Sequence, residues 1–133
     1  MTNAPFDLSG KVALVTGGNG GIGLGMAEAM ARAGANVAIW GTNAEKNAAA
    51  KARLDALDVD AEAFQCNVAD EADVDRTMQA TLDRFGRLDG CFANAGVTGR
   101  GAKSFLDITA EEWRRVLSVN LDGTFFTFKA ALR

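Results

Sequence analysis

The 133-residue chain contains no tyrosine and no histidine. Two common proton-transfer side chains are therefore absent. Cysteine is scarce too, with only Cys66 and Cys91, so a zinc site has too few ligands and no metal is expected. No apolar stretch approaches the roughly 18 residues that suggest a membrane span. Positive charge is scattered, and 14 Lys and Arg against 17 Asp and Glu leave a net charge of −3. That balance argues against a nucleic-acid surface. Residues 1–10 carry no positive charge and no long apolar run, and nothing there resembles a signal peptide. Repeats, low-complexity segments and linkers are missing as well. What is present is 48% hydrophobic residues, enough to bury one core, and residues 1–133 read as one domain.

Short apolar runs alternate with amphipathic helical segments. The pattern predicts strands at residues 11–16, 36–40, 61–66 and 88–94, and helices at 22–33, 44–57 and 71–85, with a last helix from Ala110 onward. Gly34 and Gly86 are placed to end helices in the left-handed conformation. Asp70 is a good N-cap, and Thr42-x-x-Glu45 and Thr109-x-x-Glu112 read as capping boxes. Helical spacing joins Ile22, Met26 and Met30 on one face, and Val74, Met78 and Leu82 on another. The last helix aligns Trp113, Val116, Leu117, Asn120, Thr124 and Phe128. It runs out inside this apolar pattern with no Gly, Pro or cap, as if cut. Strands alternating with helices of this length imply an α/β fold, a doubly wound, Rossmann-like parallel sheet. In the strand order 3-2-1-4, Cys66 and Cys91 stand three strand steps apart, roughly 14 Å, too far for a disulfide. Both read as buried thiols of a reducing, cytoplasmic compartment.

The densest chemical signal is Thr16-Gly17-Gly18-Asn19-Gly20-Gly21-Ile22-Gly23, after the apolar Val12-Ala13-Leu14-Val15 and at the start of a helix. It parses as G-x-G-x-x-G through Gly18, Gly20 and Gly23, or as T-G-x-x-x-G-x-G through Gly17, Gly21 and Gly23. A strand before and a helix after make it a phosphate-binding turn. Glycines admit a ligand to the backbone, and the helix N-terminus offers N–H groups and a positive dipole end to an anion. A dinucleotide pyrophosphate is the usual occupant. No Gly-Lys-Ser/Thr follows, so a P-loop is excluded.

These motifs together resemble the short-chain dehydrogenase/reductase family along essentially the whole chain. The resemblance includes Leu8-Ser9-Gly10-Lys11-Val12-Ala13-Leu14-Val15-Thr16-Gly17, Gly21-Ile22-Gly23, Asn67-Val68, Phe85-Gly86-Arg87-Leu88-Asp89, Asn94-Ala95-Gly96 and Ser118-Val119-Asn120. It implies hydride transfer between NAD(P) and a small carbonyl or alcohol substrate, with Gly17, Asn19, Gly20, Gly21, Ile22 and Gly23 at the cofactor. Asn67 and Val68 are expected near the adenine, and Asn94, Ala95 and Gly96 on the ribose side. The family more often has Asp where Asn67 stands and Asn where Ala93 stands. Asn120 matches the asparagine of the family's Asn-Ser-Tyr-Lys catalytic set. The other three have no match here.

From the residues alone, Asn120 is either a functional amide or one that bonds its local backbone and bends the helix. The resemblance favours the first. After the second strand, Trp40-Gly41-Thr42-Asn43 lacks the acid that receives a ribose 2′-hydroxyl and the Arg that receives a 2′-phosphate. Thr42 and Asn43, with Lys46 one turn on, tip the expectation toward NADP, unless Thr42 only caps its helix. The readings in play are the N-terminal part of an oxidoreductase, a non-catalytic dinucleotide-binding module, and an interaction fragment. The chain alone is expected to be catalytically silent, and either to form homo-oligomers or to pair with a C-terminal half.

Overall fold

The computed structural model describes residues 5–133. Strand β1 (Val12–Thr16) leads through the glycine loop into α1 (Gly21–Arg32), followed by β2 (Asn36–Gly41) and α2 (Ala44–Asp55). Next come β3 (Ala61–Gln65), α3 (Glu71–Phe85) and a short β4 (Gly90–Phe92). The chain finishes in α4 (Ala110–Leu117), a π-helical turn (Ser118–Asp122) and α5 (Gly123–Ala131). All strand pairs are parallel, in the order β3-β2-β1-β4. The expected sheet is therefore present, although β4 is shorter than its predicted stretch.

Side chains alternate across a strand, and β1 and β2 divide the core accordingly. Val15, Val37 and Ile39 face α1 and α2, where Leu24, Ala27, Ala31, Ala50 and Leu54 complete one cluster. Leu14, Ala38 and Trp40 face the other way, toward Val74, Met78 and Ala130 of α3 and α5. Trp40 is the largest fully buried side chain, and its indole N–H donates to Thr81 Oγ1 at 3.0 Å. Without such a partner the buried indole N–H would cost about 1–3 kcal/mol.

Helix ends follow the residues. Asp70 caps α3 by accepting from the N–H groups of Ala72 and Asp73, and Gly86 ends it at φ +74°. Gly34, after α1, adopts φ +96°. The capping boxes differ from expectation. Asn43, not Thr42, caps α2, accepting from Lys46 N–H at 2.9 Å. Thr109 does cap α4, but Glu112 turns away to Arg115 and the Arg100 N–H instead of reaching back.

Two apolar faces also differ. On α1 the buried residues are Gly23, Leu24, Ala27, Glu28 and Ala31, while Ile22 is 79% exposed. Small residues let the helix settle close on the sheet; Met26 and Met30 pack against the edge of the same cluster as expected, and only Ile22 departs from the predicted face. In the last helical segment the buried residues are Gly123, Thr127 and Ala130. Trp113 and Phe128 remain exposed. The π turn inserts extra backbone, so the straight 3.6-residue stripe does not survive it.

Candidate functional site

The carboxyl ends of the four parallel strands open onto one edge of the sheet, at the crevice beside β1 where the strand order reverses. Ligands of open α/β sheets bind at such a switch point. The cleft there has a volume of about 210 Å³. Gly17 and Asn19 come from the loop after β1, and Gly41 and Thr42 from the end of β2. Asn67 and Val68 follow β3, and Ala95 and Gly96 follow β4. Four segments far apart in sequence are thus brought to one place. Of the lining residues, Trp40, Gly41, Cys66, Val97 and Val119 were not among the candidates.

The glycine loop is built by two different demands. Gly17 (φ +65°) and Gly21 (φ +53°) hold left-handed backbone. A Cβ on Gly18 would lie 2.6 Å from Ile39 Cγ2, and one on Gly23 would overlap the Gly17 carbonyl. The fold itself therefore requires these four. Gly20 is different. Its backbone is extended, at φ −172°, and a Cβ there would meet nothing within 4 Å. The space above Gly20 is open, as a cradle for a backbone-hugging ligand needs to be.

At the start of α1, Leu24 N–H donates to the Gly20 carbonyl at 3.1 Å. Helix geometry leaves the N–H groups before it without intrahelical acceptors. The first turn of α1 contains no acid. Free donors, a positive dipole end and no opposing carboxylate fit a pyrophosphate.

Around this loop the amides do structural work. Asn94 Nδ2 donates to the Thr16 carbonyl at 3.1 Å, and Ala95 N–H donates to Thr16 Oγ1 at 3.0 Å. Asn94 therefore ties the β4 loop to β1 from behind the cleft wall, while Ala95 and Gly96 face the cleft. Asn43 is engaged as the α2 cap. Ile22 stands exposed at the start of α1 and, like Gly20, Gly21 and Gly23, does not line the cleft. The Asn67 side chain accepts from Ala69 N–H, and the Asn67 backbone N–H donates to the Asp73 carboxylate at 2.7 Å. That bond is the main cause holding the Asp73 carboxyl below its ordinary range.

Asn47 was missed. It is buried on α2, donating to the Gly41 and Phe64 carbonyls and accepting from Asn19. A poor helix former four residues after an N-cap asparagine, at an inward position, is the signal that marks it.

Asn120 lies within the π turn. Its Nδ2 donates to the Val97 carbonyl at 2.9 Å, and its Oδ1 accepts from Val97 N–H at 2.8 Å. The amide thus clasps backbone 23 residues upstream rather than its own turn. It is exposed, although it shares the predicted apolar stripe of the last helix, because no element among the described residues lies over that side of α4 and α5. Together with Arg115, which donates to the Thr98 carbonyl, and Glu112, which accepts from Arg100 N–H, it pins the loop after β4. Arg115 holds the Glu112 carboxyl down to about 2. Burial pushes the thiols of Cys66 and Cys91 up to about 11, and both are free. Among the described residues no group of acids and cysteines is arranged to hold a metal ion.

The family model described as short chain dehydrogenase matches residues 11–133. The sorbose reductase of Candida albicans is 38% identical over 122 residues, covering 91% of this chain and 43% of that protein. The NADP-dependent (R)-specific alcohol dehydrogenase of Lentilactobacillus kefiri is 42% identical over 119 residues, covering 90% and 46%. Among solved structures, an NAD+-bound xylitol dehydrogenase superposes with a TM-score of 0.90 at 35% identity, covering 93% of this chain and 47% of that one. The chain therefore spans about half the length of the relatives it matches.

Proposed function

Because this chain belongs to the short-chain dehydrogenase family, we propose that it is the cofactor-binding part of an NAD(P)-dependent oxidoreductase acting on a small carbonyl or alcohol. The observation that carries the proposal is the open space above Gly20, within a loop whose other glycines the fold already needs. The bound dinucleotide supplies or takes up the hydride. The loop N–H groups hold its pyrophosphate, Val68 and Asn67 flank the adenine, and Ala95 and Gly96 lie along the ribose. The cleft is smaller than the roughly 300–1,000 Å³ of a drug-sized site, which suits the adenosine end, the remainder lying along the open strand ends.

Asn120 is the candidate for the proton relay. Its clasp on Val97 uses one N–H and one acceptor direction of the amide, leaving another of each. Residues 1–133 contain no Tyr or His to transfer the proton. The chain alone should therefore bind a dinucleotide without turning it over, and the missing groups come from a C-terminal half. We place that half, or a second copy, against the exposed Trp113, Leu121, Phe125 and Phe128, beside the β4 edge. No helix among the described residues is long and apolar enough to cross a membrane, and the free thiols support a reducing, cytoplasmic setting.

Calorimetric titration with NAD+ and NADP+ tests the binding. Nicotinamide absorbance with a panel of ketoses, polyols and simple ketones tests the chemistry. Absence of dinucleotide binding would overturn the proposal, and turnover by a preparation of verified mass 13.9 kDa would overturn the stated need for a second half.

A further inference from the structure

We propose that buried Asn47 sets the choice between the two dinucleotides: it holds Asn19 so that its amide oxygen is offered to the adenosine ribose, favouring a free 2′-hydroxyl over a 2′-phosphate. The inference rests on the dinucleotide-binding reading above.

The orientation of both amides follows from chemistry. One side of Asn47 faces two backbone carbonyls, Gly41 at 2.9 Å and Phe64 at 3.3 Å. Carbonyls only accept, so this side must be the Nδ2 amine. Asn47 Oδ1 therefore points to Asn19, which must answer with its own amine, at 2.8 Å. The relay leaves Asn19 Oδ1 as an acceptor with no donor among the described residues.

The Asn19 amide lies over the end of β2. A Cβ on Gly41 would overlap both Asn19 Nδ2 and Asn47 Oδ1, so this amide fills the place a side chain at position 41 would take. The end of β2 is where an acid ordinarily receives the ribose 2′-hydroxyl. An amide oxygen accepts from a hydroxyl as a carboxylate does. Facing a phosphate, it sets lone pairs against acceptor oxygens. Residues 40–43 carry no charge to offset that, and the next two, Glu45 and Lys46 after Ala44, are of opposite sign. The expectation of NADP rests on residues 40–43 and Lys46, whereas the amide invoked here comes from the glycine loop.

The test is calorimetric titration of the full-length protein, with NAD+ and NADP+ at one ionic strength, for wild type, Asn47→Leu and Asn19→Ala. The wild type should bind NAD+ roughly three- to ten-fold tighter, the scale of one neutral hydrogen bond. Either substitution should bring the ratio of the two dissociation constants toward one. A merely structural role for Asn47 would weaken both cofactors by one factor and leave the ratio unchanged. Should Asn47→Leu fail to fold, as judged by circular dichroism, Asn19→Ala carries the test, since it truncates a half-exposed loop side chain. A wild-type preference for NADP+, or an unchanged ratio in folded Asn19→Ala, overturns the inference. Failure of the wild type to bind either dinucleotide overturns the underlying cofactor reading as well, and is a distinct result.

Discussion

Gly20→Val separates the cofactor role of the glycine loop from its structural role. At Gly17 the same change would force a β-branched residue to φ +65° with its Cβ 3.0 Å from Ala95 Cα, and lost binding could mean only a broken loop. Gly20 has extended backbone and an empty surrounding, so valine fits the unliganded chain. The fold loses only a favoured N-cap residue, about 1 kcal/mol or less. The ligand loses more. A branched side chain above the loop keeps the pyrophosphate off the α1 N–H groups, and two hydrogen bonds to a charged group at about 1.5–3 kcal/mol each amount to ~3–6 kcal/mol. Affinity for NAD(P) should fall by roughly 100-fold or more. Calorimetric titration reads the loss, and circular dichroism checks that helix content is retained. Gly25→Ala is the control: its Cβ also meets nothing within 4 Å, and it should stabilise α1 by up to about 1 kcal/mol with binding unchanged. A folded Gly20→Val protein with wild-type affinity would refute the reasoning.

Three further outcomes are expected. Trp40→Phe removes the indole that donates to Thr81 and opens space in the core, which should cost about 1–3 kcal/mol in urea denaturation; a loss below the error of the midpoint would contradict it. Gly123→Ala places a Cβ 2.7 Å from Val68 Cγ2, so overpacking of about 1–3 kcal/mol should appear together with weaker cofactor binding, because Val68 also lines the cleft. The Asp89 carboxylate, held by Arg87 and by Val12 N–H, has its pKa lowered from 3.8 to about 2. Its contribution is therefore fully present above pH 4–5 and is lost as the pH falls through the folded value near 2. Asp89→Asn should flatten the stability-against-pH curve between about pH 4 and 2, and an unaltered slope there would show that the pairing carries no linkage.

The strand–helix alternation and the glycine turn between β1 and α1 were legible in the chain because they depend on local patterning: apolar runs of strand length, glycine after a strand, and caps such as Asp70. The face of α3 was legible for the same reason, since Val74 and Met78 are buried and Leu82 packs against the same cluster. The faces of α1 and α5 were legible only in part: Met26 and Met30 do pack against the core, whereas Ile22 and Phe128 do not. Close packing there selects Gly23, Ala27, Ala31 and Gly123, whose smallness hides them from a hydrophobic periodicity. Asn120 stood out by residue type and motif, but its hydrogen-bond partner, Val97, is a backbone group 23 residues away, and its exposure depends on what packs over α4 and α5. Only the tertiary structure sets Asn47 beneath Asn19 and Gly41, because that contact joins residues 28 positions apart through two buried carbonyls. Local sequence determines which elements form and where the backbone turns; the direction in which each amide points is decided by long-range acceptors that no local pattern encodes.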